Sequence, residues 1–99
     1  MTLTNKQQRY LRGLAHSFKP VVTVGSAGLT DAVINETDAV LETHELIKAR
    51  VNADNKADRI DIANKIINQT GAVLVQIIGH IVILYRPKKK DPQISLPKQ

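Results

Sequence analysis

Two glycines three positions apart, Gly25 and Gly28, bracket Ser26 and Ala27 directly after the β-branched run Val21, Val22, Thr23 and Val24. β-branched side chains favour an extended, half-buried strand. A glycine, having no Cβ, lets the backbone turn sharply and lets another molecule come close. Thr30 is of the type that caps a helix, and Asp31 would sit in its first turn, where the macrodipole favours an acid. The stretch therefore predicts a strand, a G-x-x-G loop and a helix N-terminus, which together can offer main-chain N–H groups to a phosphodiester backbone. Cations that would add long-range attraction lie towards both ends of the chain: Arg9, Arg12 and Lys19, then Arg86, Lys88, Lys89 and Lys90. With Gly25, Ser26, Ala27 and Gly28 they make up the candidate nucleic-acid site.

Other chemistries find little support. The loop lacks the third glycine of G-x-G-x-x-G and the G-K-[ST] ending of a P-loop. Cysteine is absent, so disulfides and thiolate metal sites are ruled out. His16, His44 and His80 are scattered over separate elements with no H-x-x-x-H pair, and no metal or other cofactor is expected. His44 falls on the apolar side of its helix, which predicts a partly buried histidine. Asp54, Asp58 and Asp61 are read as solvated acids favoured by a helix dipole rather than as a cation site. Ser17, Ser26 and Ser95 have no nucleophile motif around them, so no enzyme is expected. The aromatics are Tyr10, Phe18 and Tyr85; the first two fit core positions, which argues against a base-stacking platform.

The formal net charge of +5 is unevenly spread. Residues 1–30 contain four bases and no acid, residues 31–64 eight acids and four bases, and residues 65–99 six bases with Asp91 alone. If the termini meet in space, one face is basic and another acidic, which suits a polyanion. With 42% hydrophobic residues the 99-residue chain can bury a core, and it reads as one domain over residues 1–99 with a basic, proline-containing tail over 86–99. The longest apolar run, residues 81–85, is far short of the ~20 residues a membrane span requires. No secretory h-region opens the chain, so a cytoplasmic protein is expected, and no membrane partner.

These residues must be held by a frame, and its elements are legible. Thr4 and Gln7 match a capping box for a helix to about residue 17. Leu3, Tyr10, Leu11, Leu14 and Phe18 fall on one side of it, and Lys6, Arg9, Arg12 and His16 on the other. Pro20 ends that segment. A strand over 21–24, a helix over 31–43 and a strand over 46–51 follow, with Lys48 and Arg50 pointing away from Ile47 and Val51. A third helix over 56–70, with Ile60, Ala63, Ile66 and Ile67 inward, stops at Gly71. Two apolar runs, 72–78 and 81–85, flank Gly79-His80, a two-residue hairpin signal of type II′. Both runs are apolar almost throughout, so both sheet faces should be covered, by helices or by a partner. In the tail only Ile94 and Leu96 are able to pack. The order αβαβαββ predicts a compact mixed four-stranded sheet with three helices, of α/β class.

Three segments resemble one known family. They are Val-Gly-Ser-Ala-Gly-Leu-Thr at 24–30, His-Glu-Leu-Ile-Lys at 44–48 and Val-Gln-Ile-Ile-Gly-His-Ile-Val-Ile-Leu-Tyr-Arg-Pro at 75–87. In that order, within a similarity over about residues 3–97, they resemble the CRM domain (chloroplast RNA splicing and ribosome maturation), and in particular its single-domain bacterial YhbY-like members. The resemblance implies a KH-like G-x-x-G loop at Gly25, Ser26, Ala27 and Gly28. It also implies a basic first helix at Arg9 and Arg12, and a fold like the C-terminal domain of a bacterial translation initiation factor. It matches the family's terminal Leu-Tyr-Arg to Leu84, Tyr85 and Arg86, and departs at His80, where the family often has lysine. The partner so implied is RNA, namely large-subunit rRNA in ribosomal precursors, with DNA not expected. The other reading is a protein-interaction or dimerisation module that docks ribosomal proteins on its apolar sheet.

Overall fold

The computed structural model describes residues 1–98. Its first helix, α1 (Asn5–Ala15), opens on the reciprocal capping box. The Thr4 hydroxyl accepts from Gln7 N at 3.1 Å, and Gln7 Oε1 accepts from Thr4 N at 3.0 Å. After α1 come β1 (Val22–Val24), α2 (Asp31–His44), β2 (Leu46–Val51), α3 (Lys56–Thr70), β3 (Val73–Ile78) and β4 (Ile81–Tyr85). This is the expected αβαβαββ order. Gly71 stops α3 at φ 75°, with its N–H bonded to Ile67 O at 2.9 Å. Gly79 takes φ 57° in the hairpin while His80 stays outside the left-handed region, as a type II′ turn demands.

The sheet order is β1-β2-β4-β3, with β1 and β2 parallel and β4 antiparallel to both of its neighbours. The α3 crossover thus returns the chain to a strand running with β2, and the final hairpin fills the gap between them. One sheet face carries Val22, Val24, Ile47, Ala49, Val51, Val82 and Leu84 against Leu41 of α2 and Ala63 and Ile66 of α3. The other carries Leu46, Val75, Ile83 and Tyr85 against Leu11 and Ala15 of α1, with Leu3, Ile94 and Leu96 packed alongside. The chain's own helices and tail cover the apolar strands, so the sheet faces are not free to dock ribosomal proteins. β3 serves both cores through a bulge between Leu74 and Gln76. The Gln8 side-chain amide donates to the carbonyl of Val75 at that bulge.

Packing of α1 departs from its hydropathy pattern. Leu11 and Ala15 are fully buried, whereas Tyr10, Leu14 and Phe18 are 42%, 39% and 42% exposed, so the two aromatics are not core residues. The seam is rotated by roughly a quarter turn because two glutamines share it. Gln8 caps the β3 bulge, and Gln7 donates to Pro97 O at 3.0 Å. On α3, Ile60 points outward and Ile62 packs in its place.

The tail is anchored by a buried carboxylate. Glu45, between α2 and β2, is 1% exposed and takes φ 66°. Its oxygens accept from the amides of Gln93 at 2.7 Å, Ile94 at 3.1 Å and Lys88 at 3.1 Å. Three backbone donors satisfy a buried charge that would otherwise be costly. Gln7 and Glu45 together lash the C-terminal segment beside α1, so the two ends of the chain meet.

Candidate nucleic-acid interface

The loop after β1 is a single tight turn, closed by a hydrogen bond from Gly28 N to Gly25 O at 3.0 Å. Gly25, Ser26 and Ala27 are exposed, and a Cβ built at either glycine meets no atom within 4 Å. Only Gly28, at φ 81°, requires glycine for its backbone conformation. Gly25 is conformationally free to be another residue. Thr30 then caps α2, accepting from Val33 N at 3.2 Å.

The loop has two unlike flanks. Towards α3, a cleft of about 340 Å³ separates Gly25, Ser26 and Gly28 from Asp54, Asp58 and Asp61. That wall repels an anion, and the described residues contain no cluster of three or more acids or histidines placed to hold a metal. On the α1 side, Arg50 of β2 pairs with Thr23 of β1, and both are exposed. Lys48 follows on the same face, its Nζ donating to His16 O at 3.2 Å just beyond the end of α1. Arg12 occupies the helical row between Gln8, tied to β3, and His16, tied to β2; Arg9 is exposed on the adjacent row.

Charge therefore separates by layer. α1, the segment leading to β1 and all four strands contain Lys6, Arg9, Arg12, Lys19, Lys48 and Arg50 without a single acid. Eight of the nine acids lie on α2, α3 and the turns beside them. One layer of the molecule is basic and the opposite one acidic.

A family model, the CRS1/YhbY (CRM) domain, matches residues 3–86. An RNA-binding protein of Haemophilus influenzae is 44% identical over 98 residues, covering 99% of this chain and 98% of its own. The probable RNA-binding protein YqeI of Bacillus subtilis is 39% identical over 95 residues, with 96% and 99% coverage. A solution structure from Staphylococcus aureus superposes with a TM-score of 0.85 at 40% identity, over 97% of this chain and all of that one. The chain belongs to the CRM domain family.

Within this CRM domain the expected cations do not all stand together. Arg86 is removed from the phosphate-gripping set. Its guanidinium donates to Asp38 Oδ1 at 2.5 Å, Thr70 O at 2.7 Å, Asp38 O at 3.0 Å and Glu42 Oε1 at 3.3 Å. The cause is strand alternation: residues 82, 84 and 86 share the face turned to α2 and α3, so Arg86 is in phase with the core and not with the lysines after it. Lys88, Lys89 and Lys90 lie where β4 ends, beside Leu46 at the start of β2. The amides of Lys88 and Lys89 bond to Glu45 and Glu42. The G-x-x-G loop leaves β1 at the opposite end of the sheet, next to Val51. Five residue steps along β2, about 17 Å, separate the two ends. The tail lysines therefore do not flank the loop. Arg50 does, along with His80, whose Nδ1 is 3.2 Å from Val51 O.

Lys19 lies at the tail's end of the sheet, lining a second cavity with Phe18, Val21, His44, Leu46, Ile47 and Lys48. His44 is exposed there and not partly buried, because α2 ends at this residue and its side chain passes the rim of the core. Arg50 and Lys48 were visible in the sequence as outward strand positions, yet nothing in the chain's pattern tied them to the loop. Glu45 entered the sequence reading only as part of the His-Glu-Leu-Ile-Lys segment, with no role of its own. Its carboxylate, after burial, is the second cause that raises the Tyr85 phenol above its ordinary value.

Proposed function

We propose that this CRM domain binds structured RNA, the rRNA of large-subunit precursors, with the G-x-x-G turn against the sugar-phosphate backbone. The observation that carries the reading is the acid-free layer of α1 and the strands, which reaches the open turn through Arg50. A phosphate entering from that side approaches the turn and the N-terminus of α2 away from the carboxylates of α3. Arg9, Arg12, Lys19, Lys48 and Arg50 supply sequence-independent attraction. The choice of rRNA over other RNA rests on the family resemblance; the relatives are named as RNA-binding proteins.

Binding of the purified protein to naked large-subunit rRNA fragments, followed over a range of salt, tests this. Neutralising about five phosphates on single strands gives a slope of log K against log salt near −3.5. A fourfold rise in salt then weakens binding roughly a hundredfold. A flat salt response, or binding only when ribosomal proteins are present, would reject the proposal.

A further inference from the structure

Resting on that reading, we infer that the cavity at the start of β1 and β2 receives one unpaired nucleotide of the bound RNA, its base lying on Phe18. The cavity measures about 330 Å³, and the apolar residues Phe18, Val21, Leu46 and Ile47 make up most of its lining, Leu46 and Ile47 being almost wholly buried. Phe18 is 42% exposed and Val21 45% exposed, so a planar apolar surface faces solvent instead of filling the core. Lys19, Lys48 and His44 complete the lining, and it includes no acid. An apolar slot edged solely by cationic and imidazole groups complements a base carrying its own phosphates. An aliphatic peptide segment would leave those bases unmatched, and an acidic one would find no reason for the aromatic wall.

The slot is held open by the backbone. The segment from α1 to β1 is fastened by Phe18 N to Ala15 O at 2.9 Å, by Val21 N to Lys48 O at 2.9 Å and by Lys48 Nζ to His16 O at 3.2 Å. Lys48 keeps further ammonium protons for a ligand. From Val21 to Gly25 the chain advances about 13 Å, so one RNA strand spans both slot and turn across the Thr23 and Arg50 face. Stacking on an aromatic ring tolerates any base, whereas hydrogen bonds from His44 and the lysines discriminate little. The slot thus selects for an unstacked nucleotide and not for a sequence, favouring loops and bulges over continuous duplex.

The test compares two probes of equal phosphate number: a stem-loop carrying 5-iodouridine in its loop, and a blunt RNA duplex. The native protein should prefer the stem-loop. Phe18→Ala should weaken stem-loop binding about tenfold and duplex binding less than twofold, while Phe18→Trp retains the preference. Photocrosslinks should map to the peptide containing Phe18. Thermal unfolding of each variant verifies folding, and His44→Ala with Lys19→Ala provides a second route that leaves Phe18 intact. Equal losses on both probes, or none, overturn the nucleotide slot while RNA binding stands. Failure of the native protein to bind either probe overturns the RNA reading and the slot with it. A Phe18→Ala variant that binds RNA normally but no longer retains a ribosomal protein identifies the cavity as a protein site and also overturns the inference.

Discussion

Gly25→Asp is the sharpest probe of the loop because the two glycines differ in what they demand of the backbone. At Gly28, with φ 81°, any L-residue adds strain of about 1–2 kcal/mol, so lost binding there mixes loop distortion with charge. Gly25 lies outside the left-handed region, and a Cβ there meets no atom within 4 Å. Gly25→Ala should leave stability unchanged or raise it by up to about 1 kcal/mol through a less flexible unfolded chain. Gly25→Asp adds a carboxylate to the same open space. Against a phosphate about 5 Å away, repulsion is about 0.8 kcal/mol at the dielectric of water and about 3 kcal/mol at an effective value near 20. Affinity for RNA should therefore fall between about fourfold and about 150-fold, with a midpoint of thermal unfolding like that of Gly25→Ala. Fluorescence anisotropy with a labelled stem-loop at low salt measures the first quantity and calorimetry the second. A folded Gly25→Asp protein that binds within twofold of the native one refutes phosphate contact at the turn, however Gly28 variants behave.

The same structure makes four further claims. Glu45→Gln leaves one of three tail amides facing an NH₂ group and should cost about 1–3 kcal/mol. Hydrogen exchange at Lys88, Gln93 and Ile94 should accelerate more than in α3, and uniform acceleration would deny Glu45 its role as the tail's anchor. Arg86→Ala should destabilise by about 1–3 kcal/mol yet bind RNA within twofold at temperatures where it is folded. Arg50→Ala should do the reverse, lowering the salt slope by about 0.7 without a stability change; exchanged outcomes would reject the assignment of these two arginines. Asp54→Asn, on the acidic wall of the loop cleft, should tighten RNA binding a few-fold at low salt, and weaker binding would mean that RNA approaches from the α3 side. Tyr85, 2% exposed, has a phenol raised above its ordinary value of 10.0 by burial and then by Glu45. Because the folded value is the higher one, this stabilisation is complete below the unfolded value and is lost as pH rises from about 10 through the folded value. In an alkaline ultraviolet titration of a Tyr10→Phe variant, the Tyr85 phenol should ionise only with unfolding, so its ionisation before unfolding contradicts the burial.

Much of this protein was set by local chemistry. The capping box at Thr4 and Gln7, the cap at Thr30, Gly71 at the end of α3 and the Gly79 turn depend on contacts within four residues. Element order and the form of the G-x-x-G turn follow from such contacts, which is why they were legible. Tertiary structure decided what each element presents. Hydropathy placed Tyr10 and Phe18 in the core, but hydrogen bonds to Val75 and Pro97, far off in the chain, turned α1 until Leu11 and Ala15 faced inward. Charge counting joined Arg86 to the lysines beside it, whereas the pleat of β4 sent it to Asp38 and Glu42. Arg50 gained its place beside the loop only when β1 aligned with β2. Position along the chain governs turns and caps because their partners are neighbours; the direction of a cation is governed by partners dozens of residues away, and those exist only once the sheet has formed.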